Sequence, residues 1–447
     1  MIELVFFFQY ISDLVLYQVN FNLHLHKACL SNTTDVKSYR DCYINLRGFS
    51  LVTNFTTYYS RLAVSILCVL YVSLAISWSD ISGRRRRPLI FIAIFGQIMK
   101  SISGLINHFF NTSMVVTFIF NMIFELIGGI NMMFVVAQIY TCETSTVGNR
   151  TMRLGLLWVV RLICEVIFYE IAEKFALNSG FYYSYTFCIV LSIIALVLAT
   201  LLIKDEFVVP EVEKPSLLQL FDVTRIVHSF KLVFKKSLRS KRLLVLLLLI
   251  AYVMVYCVYE GENGTAALFH IHFQQAYKRR VDSISVTFAK NLSIIFNTLL
   301  CCVILSKCLK IRDVSIGIFA GICNLIGVIL YFLVGNIWHV YIATMLNAFH
   351  GVILFTSVSF LTKFYDGKEF GRLFAVLNIF YTFVLISEWV YTMVFAKTIN
   401  CFVEAVYINS FSLDVTVLLL YCMSFMFWRL VSDPAYSSME ESHVYEN

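Results

Sequence analysis

The sequence predicts an all-α polytopic membrane protein. Of its 447 residues, 59% are hydrophobic and only 14% are charged, far from the average of soluble chains. Apolar runs of about 20 residues recur along the chain, and each is long enough for a helix to cross a hydrocarbon core of ~30 Å. Short charged turns separate the runs. The turn at 79–88 contains four adjacent arginines, which cannot lie inside a bilayer.

In chain order, twelve apolar runs form two groups of six. The first group occupies 1–203 and includes a long polar outer loop at 20–56. A basic cytosolic linker at 204–241 leads to the second group at 242–430, and 431–447 form a tail. Lysine and arginine concentrate in the segments assigned to the cytosol, which predicts that both termini are cytosolic. The first run lacks the basic start and small-residue cleavage site of a signal peptide, so we expect a retained span.

The predicted outer side carries three glycosylation sequons, at Asn32, Asn54 and Asn111, which predict a glycoprotein. Cys29 and Cys42 lie in the same polar loop, so a disulfide between them is expected. Most other cysteines fall inside apolar runs, where cysteine behaves as a small hydrophobic residue. No Cys/His spacing typical of a metal site is present, and no metal or cofactor is expected.

The formal net charge of +7 is accounted for by cytosolic loops that face anionic lipid. Membrane lipid is therefore an expected partner, and nucleic acid is not. The sequence also shows no nucleophile–base pair, metal cluster or phosphate-binding loop at a plausible depth, so an enzyme is not expected.

The segment that starts at Asp80, Asp-x-x-Gly-Arg-Arg, resembles the loop between the second and third spans of major facilitator superfamily transporters. Six spans, a basic linker and six spans is also the organisation of that superfamily. The resemblance implies the major facilitator fold, with twelve transmembrane helices in two six-helix halves and a substrate site near the membrane midplane.

The resemblance further implies a conformational latch. In it, Asp80 caps a helix of the opposite half and Arg84 pairs with Glu143 in the outward-facing state, contacts that can break as the halves rock. Gly83 and Arg150 complete the expected latch. The alternative is a positive cluster that only sets the topology.

Residues 150–157, with Glu143 seven residues before Arg150, resemble solute carrier family 46, the proton-coupled folate transporter family. The outer residues 26–29 with Cys42, and the segment 363–375, carry the same resemblance. It implies proton-coupled transport of a small organic anion.

The chain departs from the resembled sequences at three informative positions. Trp158 stands where the folate-transporting member has a glutamate, and Val358 stands where that member has an arginine. Ile76 stands where the superfamily turn has its first glycine. Folate is therefore not expected as the substrate. These departures leave open a second function, a non-transporting membrane receptor or scaffold on the same fold.

Ionisable residues inside spans are costly and usually face a cavity or a partner. With two residues of the seventh span, they form the predicted substrate and proton pathway: Glu125, Arg161, Glu165, Tyr256, Glu262, Lys290, His350 and Glu388. Lys100, on the third span, is expected to be peripheral and either to snorkel or to pair.

Several members of this pathway have two interpretations. Arg161 and Glu165 are one helical turn apart, so they form either a self-neutralised pair or an anion-binding arginine beside a titratable glutamate. His350 is either a hydrogen-bonded core histidine or a proton relay. The tyrosine stripe of the seventh span, which contains Tyr252, Tyr256 and Tyr259, either packs against lipid or stacks on a planar solute.

The sequence therefore predicts a secondary active transporter that moves a small organic, anionic solute by alternating access, with the proton as coupling ion. A monomer is expected, with a dimer as the alternative. A tyrosine-based sorting pattern at 436–439 leaves the plasma membrane and the endolysosomal membrane as alternative locations.

Overall fold

A computed structural model describes residues 1–32, 55–81, 85–110, 114–204, 222, 224–233, 239–277, 283–333, 336–398 and 405–431. Every regular element in these ranges is helical, which confirms the predicted all-α class. Of the predicted latch, glycosylation and disulfide residues, Gly83, Arg84, Asn54, Asn111 and Cys42 lie outside the described residues, as does the tail.

The described helices before the linker are α1 (Ile2–Asn32), α2 (Phe55–Ile81), α3 (Arg87–Phe110), α4 (Met114–Ile127), α5 (Gly129–Glu143), α6 (Arg150–Asn178) and α7 (Gly180–Leu202). Those that follow are α8 (Thr224–Val233), α9 (Arg239–Tyr277), α10 (Ser283–Leu299), α11 (Asp313–Phe332), α12 (Ile337–Asn347), α13 (His350–Thr362), α14 (Phe370–Thr398) and α15 (Ala405–Val431). Leu300–Cys308 continues α10 in π-helical geometry, and Gly367–Glu369 is a 3₁₀ turn.

Ten segments of the described chain are long and apolar enough to cross a membrane. The other two expected spans coincide with α2 and α6. The apolar part of α2, Val64–Asp80, is short, and α6 is interrupted by charged residues along its length. The structure thus gives a multi-pass helical protein, and the number twelve stays a prediction.

The first helix is longer than the expected span. It continues through Asn32, so residues 20–32 are helical although the sequence analysis placed an outer loop there. The physical reason is the absence of a helix breaker, since no glycine or proline occurs before Gly48. Cys29 and Asn32 therefore belong to the last turn of α1.

The chain divides into two compact units. The N-terminal unit comprises Met1–Tyr140 and Ile163–Leu220, and the C-terminal unit comprises Thr141–Leu162 and Phe221–Asn447. In the sequence analysis Thr141–Leu162 belonged to the first half. Contacts within the C-terminal unit explain its grouping: Thr151 Oγ1 donates to Asp313 Oδ1 at 3.0 Å, and Cys302 Sγ donates to the Thr151 carbonyl at 3.8 Å.

In the N-terminal unit, α1 packs along α7 through small polar residues. Ser12 Oγ donates to the Cys188 carbonyl at 3.0 Å and lies 2.9 Å from Ser192 Oγ. Tyr185 on α7 donates to Asn20 Oδ1 at 2.7 Å. Small side chains let the helix backbones approach closely in a setting where lipid is as apolar as the helices.

In the C-terminal unit, a core of aromatic residues joins α11, α14 and α15. Tyr331 and Tyr407 stack with ring centroids 4.2 Å apart, and Tyr391 and Phe395 are buried in the same cluster. The Tyr391 hydroxyl lies 3.0 Å from Ser410 Oγ. These phenols satisfy their polar ends while they fill the core with large apolar surfaces.

The linker contributes the short helix α8. Asp222 precedes it and accepts hydrogen bonds from the Thr224 hydroxyl at 2.6 Å and the Thr224 backbone N–H at 3.1 Å. The bond from the Thr224 side chain lowers the pKa of Asp222. A carboxylate at this position stabilises a helix N-terminus. On α8, the ring centroid of Phe230 lies 6.0 Å from the ring centroid of Phe380 on α14.

Candidate functional site

The fourth expected span is broken in the N-terminal unit. Helix α4 ends at Ile127 and α5 begins at Gly129, which has a φ of +50°. Glycine adopts this left-handed conformation without the steric cost that a side chain brings. The neighbouring Gly128 lies against α3, where a Cβ would stand 3.0 Å from the Ala93 Cα. The break therefore depends on two adjacent glycines.

The tenth expected span is broken in the C-terminal unit. Helix α12 ends at Asn347 and α13 begins at His350. Gly327 of α11 lets the backbone approach this break, because a Cβ there would lie 2.5 Å from the Asn347 nitrogen. Discontinuous helices at corresponding positions of two halves are typical of substrate and coupling-ion sites in transporters. In each unit an ionisable residue lies at the break, Glu125 in one and His350 in the other.

The N-terminal break carries a charged cluster. Glu125 forms an ion pair with Lys100 of α3, so of the two expectations for Lys100 the pairing is confirmed. Asp13 of α1 interacts electrostatically with both residues. Two carboxyl groups and one ammonium group meet here, so the lysine can balance only one of them as a carboxylate.

Two buried amides accompany this cluster. Gln97 lies one turn before Lys100 on α3, and Gln9 lies one turn before Asp13 on α1. Both are fully buried; the Gln97 amide interacts with the Asp13 carboxyl group, and the Gln9 amide has no hydrogen-bond partner among the described residues. Asp13 was absent from the predicted pathway, although a carboxylate four residues after a glutamine in an apolar run was a detectable signal.

The C-terminal break carries a second polar cluster. Asn347 donates to Glu262 Oε2 of α9 at 2.5 Å. His350 Nε2 lies 2.6 Å from Asn324 Nδ2 of α11 and 3.3 Å from Asp414 Oδ1 of α15. His350 is thus buried and hydrogen bonded, as one of its two interpretations required, and the contact with a carboxylate keeps the proton-relay interpretation open.

Asp414, Asn324 and Asn347 were absent from the predicted pathway. Asp414 was detectable in principle, because it is the only acidic residue in the last apolar run. The two asparagines had no such signal, since an amide in an apolar run is common and only the packing of α11 and α12 brings them beside His350.

Lys290 and Glu388 lie on two helices of the C-terminal unit, α10 and α14. Lys290 of α10 donates to Asn263 Oδ1 at 2.7 Å, and its ammonium lies 5.8 Å from the centre of the Tyr259 ring. Glu388 of α14 packs on Gly264 of α9, where a Cβ would lie 3.0 Å from its Cγ. The structure therefore brings Lys290 to the tyrosine stripe and Glu388 to the glycine-containing part of the same helix.

The tyrosine stripe of α9 is buried. Tyr252, Tyr256 and Tyr259 are 8%, 6% and 3% exposed, so the lipid-facing interpretation is wrong. Trp158 of α6 packs edge-on against Tyr256 and Tyr259 at 6.3 and 6.4 Å, and Tyr381 of α14 lies 5.1 Å from Tyr256. We call these five side chains the aromatic cluster. The 3.6-residue period showed that the tyrosines share a face but not what that face meets.

Arg161 lies at the aromatic cluster. Its guanidinium is 5.3 Å from the centre of the Trp158 ring, and it interacts with the Tyr256 side chain. Glu165, one turn further along α6, accepts a hydrogen bond from the Tyr10 hydroxyl at 2.5 Å. The structure thus supplies Arg161 with aromatic partners and Glu165 with a phenol, and a direct pair between the two stays a prediction.

The latch is only partly described. Asp80 pairs with Arg86 at 2.5 Å, and Arg86 also donates to Ser79 Oγ at 3.1 Å. Arg86 is 1% exposed, although the resemblance pointed to Arg84. The expected pairing of Arg84 with Glu143, the last residue of α5, is not testable in the described chain.

Arg150 has defined partners in the C-terminal unit. It donates to the Thr362 carbonyl at 2.9 Å, and its guanidinium lies 4.8 Å from the centre of the Phe370 ring. Thr362 is the last residue of α13, so Arg150 satisfies one of the carbonyl groups that a helix C-terminus leaves open. No group of three or more His, Cys, Asp or Glu side chains in the described chain could hold a metal ion.

Several solved structures have the same fold as this chain. The human organic anion transporter MFSD10 superposes with a TM-score of 0.65 at 14% identity, covering 95% of this chain and 98% of its own. A bacterial homologue of the iron transporter ferroportin gives 0.63 at 11% identity, with 96% and 100% covered. The proton:xylose symporter XylE gives 0.62 at 13% identity, with 95% of each chain covered. At these identities the likeness shows the fold.

A comparison with curated protein sequences finds no match. The sequence profile of the Major Facilitator Superfamily matches residues 48–387, which is about three quarters of the chain. The all-helical architecture and the broken fourth and tenth spans are consistent with this match. The chain therefore belongs to the Major Facilitator Superfamily of membrane transporters.

Proposed function

We propose that the protein is a secondary active transporter that moves a small organic anion by alternating access, driven by protons. One observation carries the substrate class: Arg161 lies among the buried rings of the aromatic cluster. An arginine inside a bundle is expensive, and this one lies over the Trp158 ring and contacts the Tyr256 side chain.

This arrangement fits an anion that also has a planar or apolar part. The guanidinium offers N–H groups in a fixed fork that matches a carboxylate, sulfate or phosphate. The rings of Trp158, Tyr256 and Tyr259 offer large, rigid surfaces for stacking. Ligand sites of small molecules are of this kind, mostly apolar with a few polar groups that fix orientation.

Proton coupling is supported by the two clusters at the helix breaks. Each contains carboxylates in an apolar bundle, and one also contains a histidine, the residue whose pKa is ordinarily closest to neutral. Among structures with the same fold, MFSD10 is described as an organic anion transporter, and XylE is described as a proton:xylose symporter. The first description concerns the substrate class that we propose, and the second concerns proton coupling.

The test is uptake of a labelled panel into cells that express the protein, at about pH 5.5 and about pH 7.4. The panel contains a folate, a sulfated steroid, a small muropeptide and a cyclic dinucleotide. Three variants accompany the wild type: Arg161→Gln, Arg161→Lys and, as the matched control, Arg242→Gln at the exposed start of α9. Surface expression is quantified for each.

We expect acid-stimulated uptake of at least one compound, lost in Arg161→Gln and retained in Arg242→Gln. Arg161→Lys should transport weakly, because an ammonium keeps the charge but not the fork. Equal uptake by the wild type and Arg161→Gln would contradict the proposed role of the arginine. No uptake of any compound by a well-expressed wild type would favour the receptor or scaffold.

A further inference from the structure

We propose that the proton that drives transport binds within the C-terminal unit, on His350 and Asp414. The proposal rests on the proposed function, because it gives a place to the coupling ion of that function. It differs from the sequence-based expectation, in which neither Asp414 nor its neighbours Asn324 and Asn347 had a role.

The first support is burial at a broken helix. His350 and Asp414 are 1% and 2% exposed, and their side chains are 3.3 Å apart between Nε2 and Oδ1. His350 is the first residue of α13, directly after the break that follows Asn347. Ionisable groups at a discontinuous helix inside a transporter bundle are placed where coupling ions bind.

The second support is that one nitrogen has two partners that need opposite protonation states. An unprotonated Nε2 accepts a hydrogen bond, which Asn324 Nδ2 can donate from 2.6 Å. A protonated Nε2 donates, and Asp414 Oδ1 can accept at 3.3 Å. Binding of one proton to the imidazole therefore moves the hydrogen bond from Asn324 to Asp414, and release of the proton reverses this change.

The third support is a shortage of hydrogen-bond donors. Within the described chain, five buried polar atoms of this cluster lack a partner. They are Glu262 Oε1, Asn324 Oδ1, Asn347 Oδ1, Asp414 Oδ2 and His350 Nδ1. Four of the five are oxygens that accept, and buried acceptors without donors are destabilising. An added proton supplies the type of group that the cluster lacks.

Two carboxyl groups and a lysine of neighbouring helices face His350. Glu262 faces it from α9 and Asp414 from α15. Among the described residues, Lys290 of α10 is the cation that interacts with His350, and it also interacts with Glu260. From α11 the neighbour is Asn324, which carries no charge. Three phenols also interact with Glu262: Tyr331, Tyr391 and Tyr407. Lys290 offsets one carboxylate, and a protonated His350 offsets another.

The test uses proteoliposomes of the full chain adsorbed on a solid-supported membrane, with no organic solute present. A rapid step from about pH 7.5 to about pH 6 should produce a transient current as protons enter the buried site. The variants are His350→Gln, Asp414→Asn and Glu125→Gln, which removes a carboxylate from the N-terminal cluster. Asp366→Asn, in the exposed turn after α13, is the matched control.

We expect the current to be lost in His350→Gln and Asp414→Asn and retained in Asp366→Asn. Retention in the first two variants with loss in Glu125→Gln would overturn the proposal and place the proton in the N-terminal unit. Absence of the current in the wild type would also overturn it.

A milder variant tests the proposal even if His350→Gln and Asp414→Asn fail to fold. Asn324→Leu keeps both titrating groups but removes the amide that holds the unprotonated imidazole. The pH midpoint of the current should therefore rise by roughly half to one unit, the shift that one net hydrogen bond corresponds to. An unchanged midpoint would contradict the exchange of partners at Nε2.

Solute uptake separates this inference from the proposed function. If wild-type uptake is stimulated by acid and stays so in His350→Gln and Asp414→Asn, the proton site is wrong while the transporter stands. If wild-type uptake of a transported solute does not respond to pH, proton coupling itself is wrong.

Discussion

Replacement of Lys100 by methionine should destabilise the protein more than any neutralising change at its partner. Methionine keeps most of the apolar stem but leaves Glu125 and Asp13 without a cation. Removal of one partner from a buried ion pair costs roughly 3–5 kcal/mol, because the other charge stays buried and uncompensated. A quarter of the Glu125 side chain is exposed, so the lower end of that range applies.

That cost converts into a change in melting temperature. For a folding unit of about 200 residues, 1 kcal/mol corresponds to roughly 2–4 °C. Lys100→Met should therefore lower the Tm by about 6–12 °C. Glu125→Gln should cost only about 2–4 °C, because Lys100 still faces Asp13 and one charge balances the other.

The assay is thermal unfolding of the detergent-solubilised protein, followed by intrinsic fluorescence at neutral pH. Lys231→Met, on the exposed side of α8, is the matched control and should change the Tm by less than about 2 °C. Equal losses for Lys100→Met and Glu125→Gln would refute the reasoning, since they would mean that Asp13 does not share the lysine.

Three other changes test local structure by the same measurement. Gly129→Ala should lower the Tm by about 2–8 °C, because a side chain at a φ of +50° costs roughly 1–2 kcal/mol, whereas Gly148→Ala, with open space around it, should be neutral. Arg86→Gln should destabilise by roughly 3 kcal/mol or more and Arg85→Gln far less, since only Arg86 is buried against Asp80. Thr151→Val should cost roughly 1.5–3 kcal/mol, because its hydroxyl donates to a buried carboxylate at the start of α11. A neutral result for any of these destabilising changes would contradict the corresponding contact.

The fold class could be predicted from the sequence because it follows from the hydropathy pattern. Apolar runs separated by charged turns cannot form anything but membrane helices, and the Asp80 turn added the superfamily. The position of Glu125 near a glycine pair was equally visible. The break after Asn347 was not, because neither residue between α12 and α13 is a glycine or proline and the close approach of Gly327 comes from another helix.

Partners within the site were harder to predict than the residues themselves. An ionisable residue in an apolar run indicates that it has a partner, as for Lys100 and His350. It does not indicate which helix supplies that partner. Packing of α3 on α4 brings Lys100 to Glu125, and His350 contacts Asp414 of the last apolar run, which the predicted pathway did not include. Four adjacent arginines likewise gave no local reason for Arg86 to be the buried one.

The central claim is that the chain moves an organic anion with protons. The most direct measurement is uptake of a labelled organic anion into proteoliposomes of the purified protein, with the inside alkaline and the outside acidic. The account predicts concentrative uptake that collapses when a protonophore removes the pH gradient and that is abolished in Arg161→Gln. Uptake that only equilibrates, with or without the gradient, would contradict proton coupling, and undiminished uptake by Arg161→Gln would contradict the anion site.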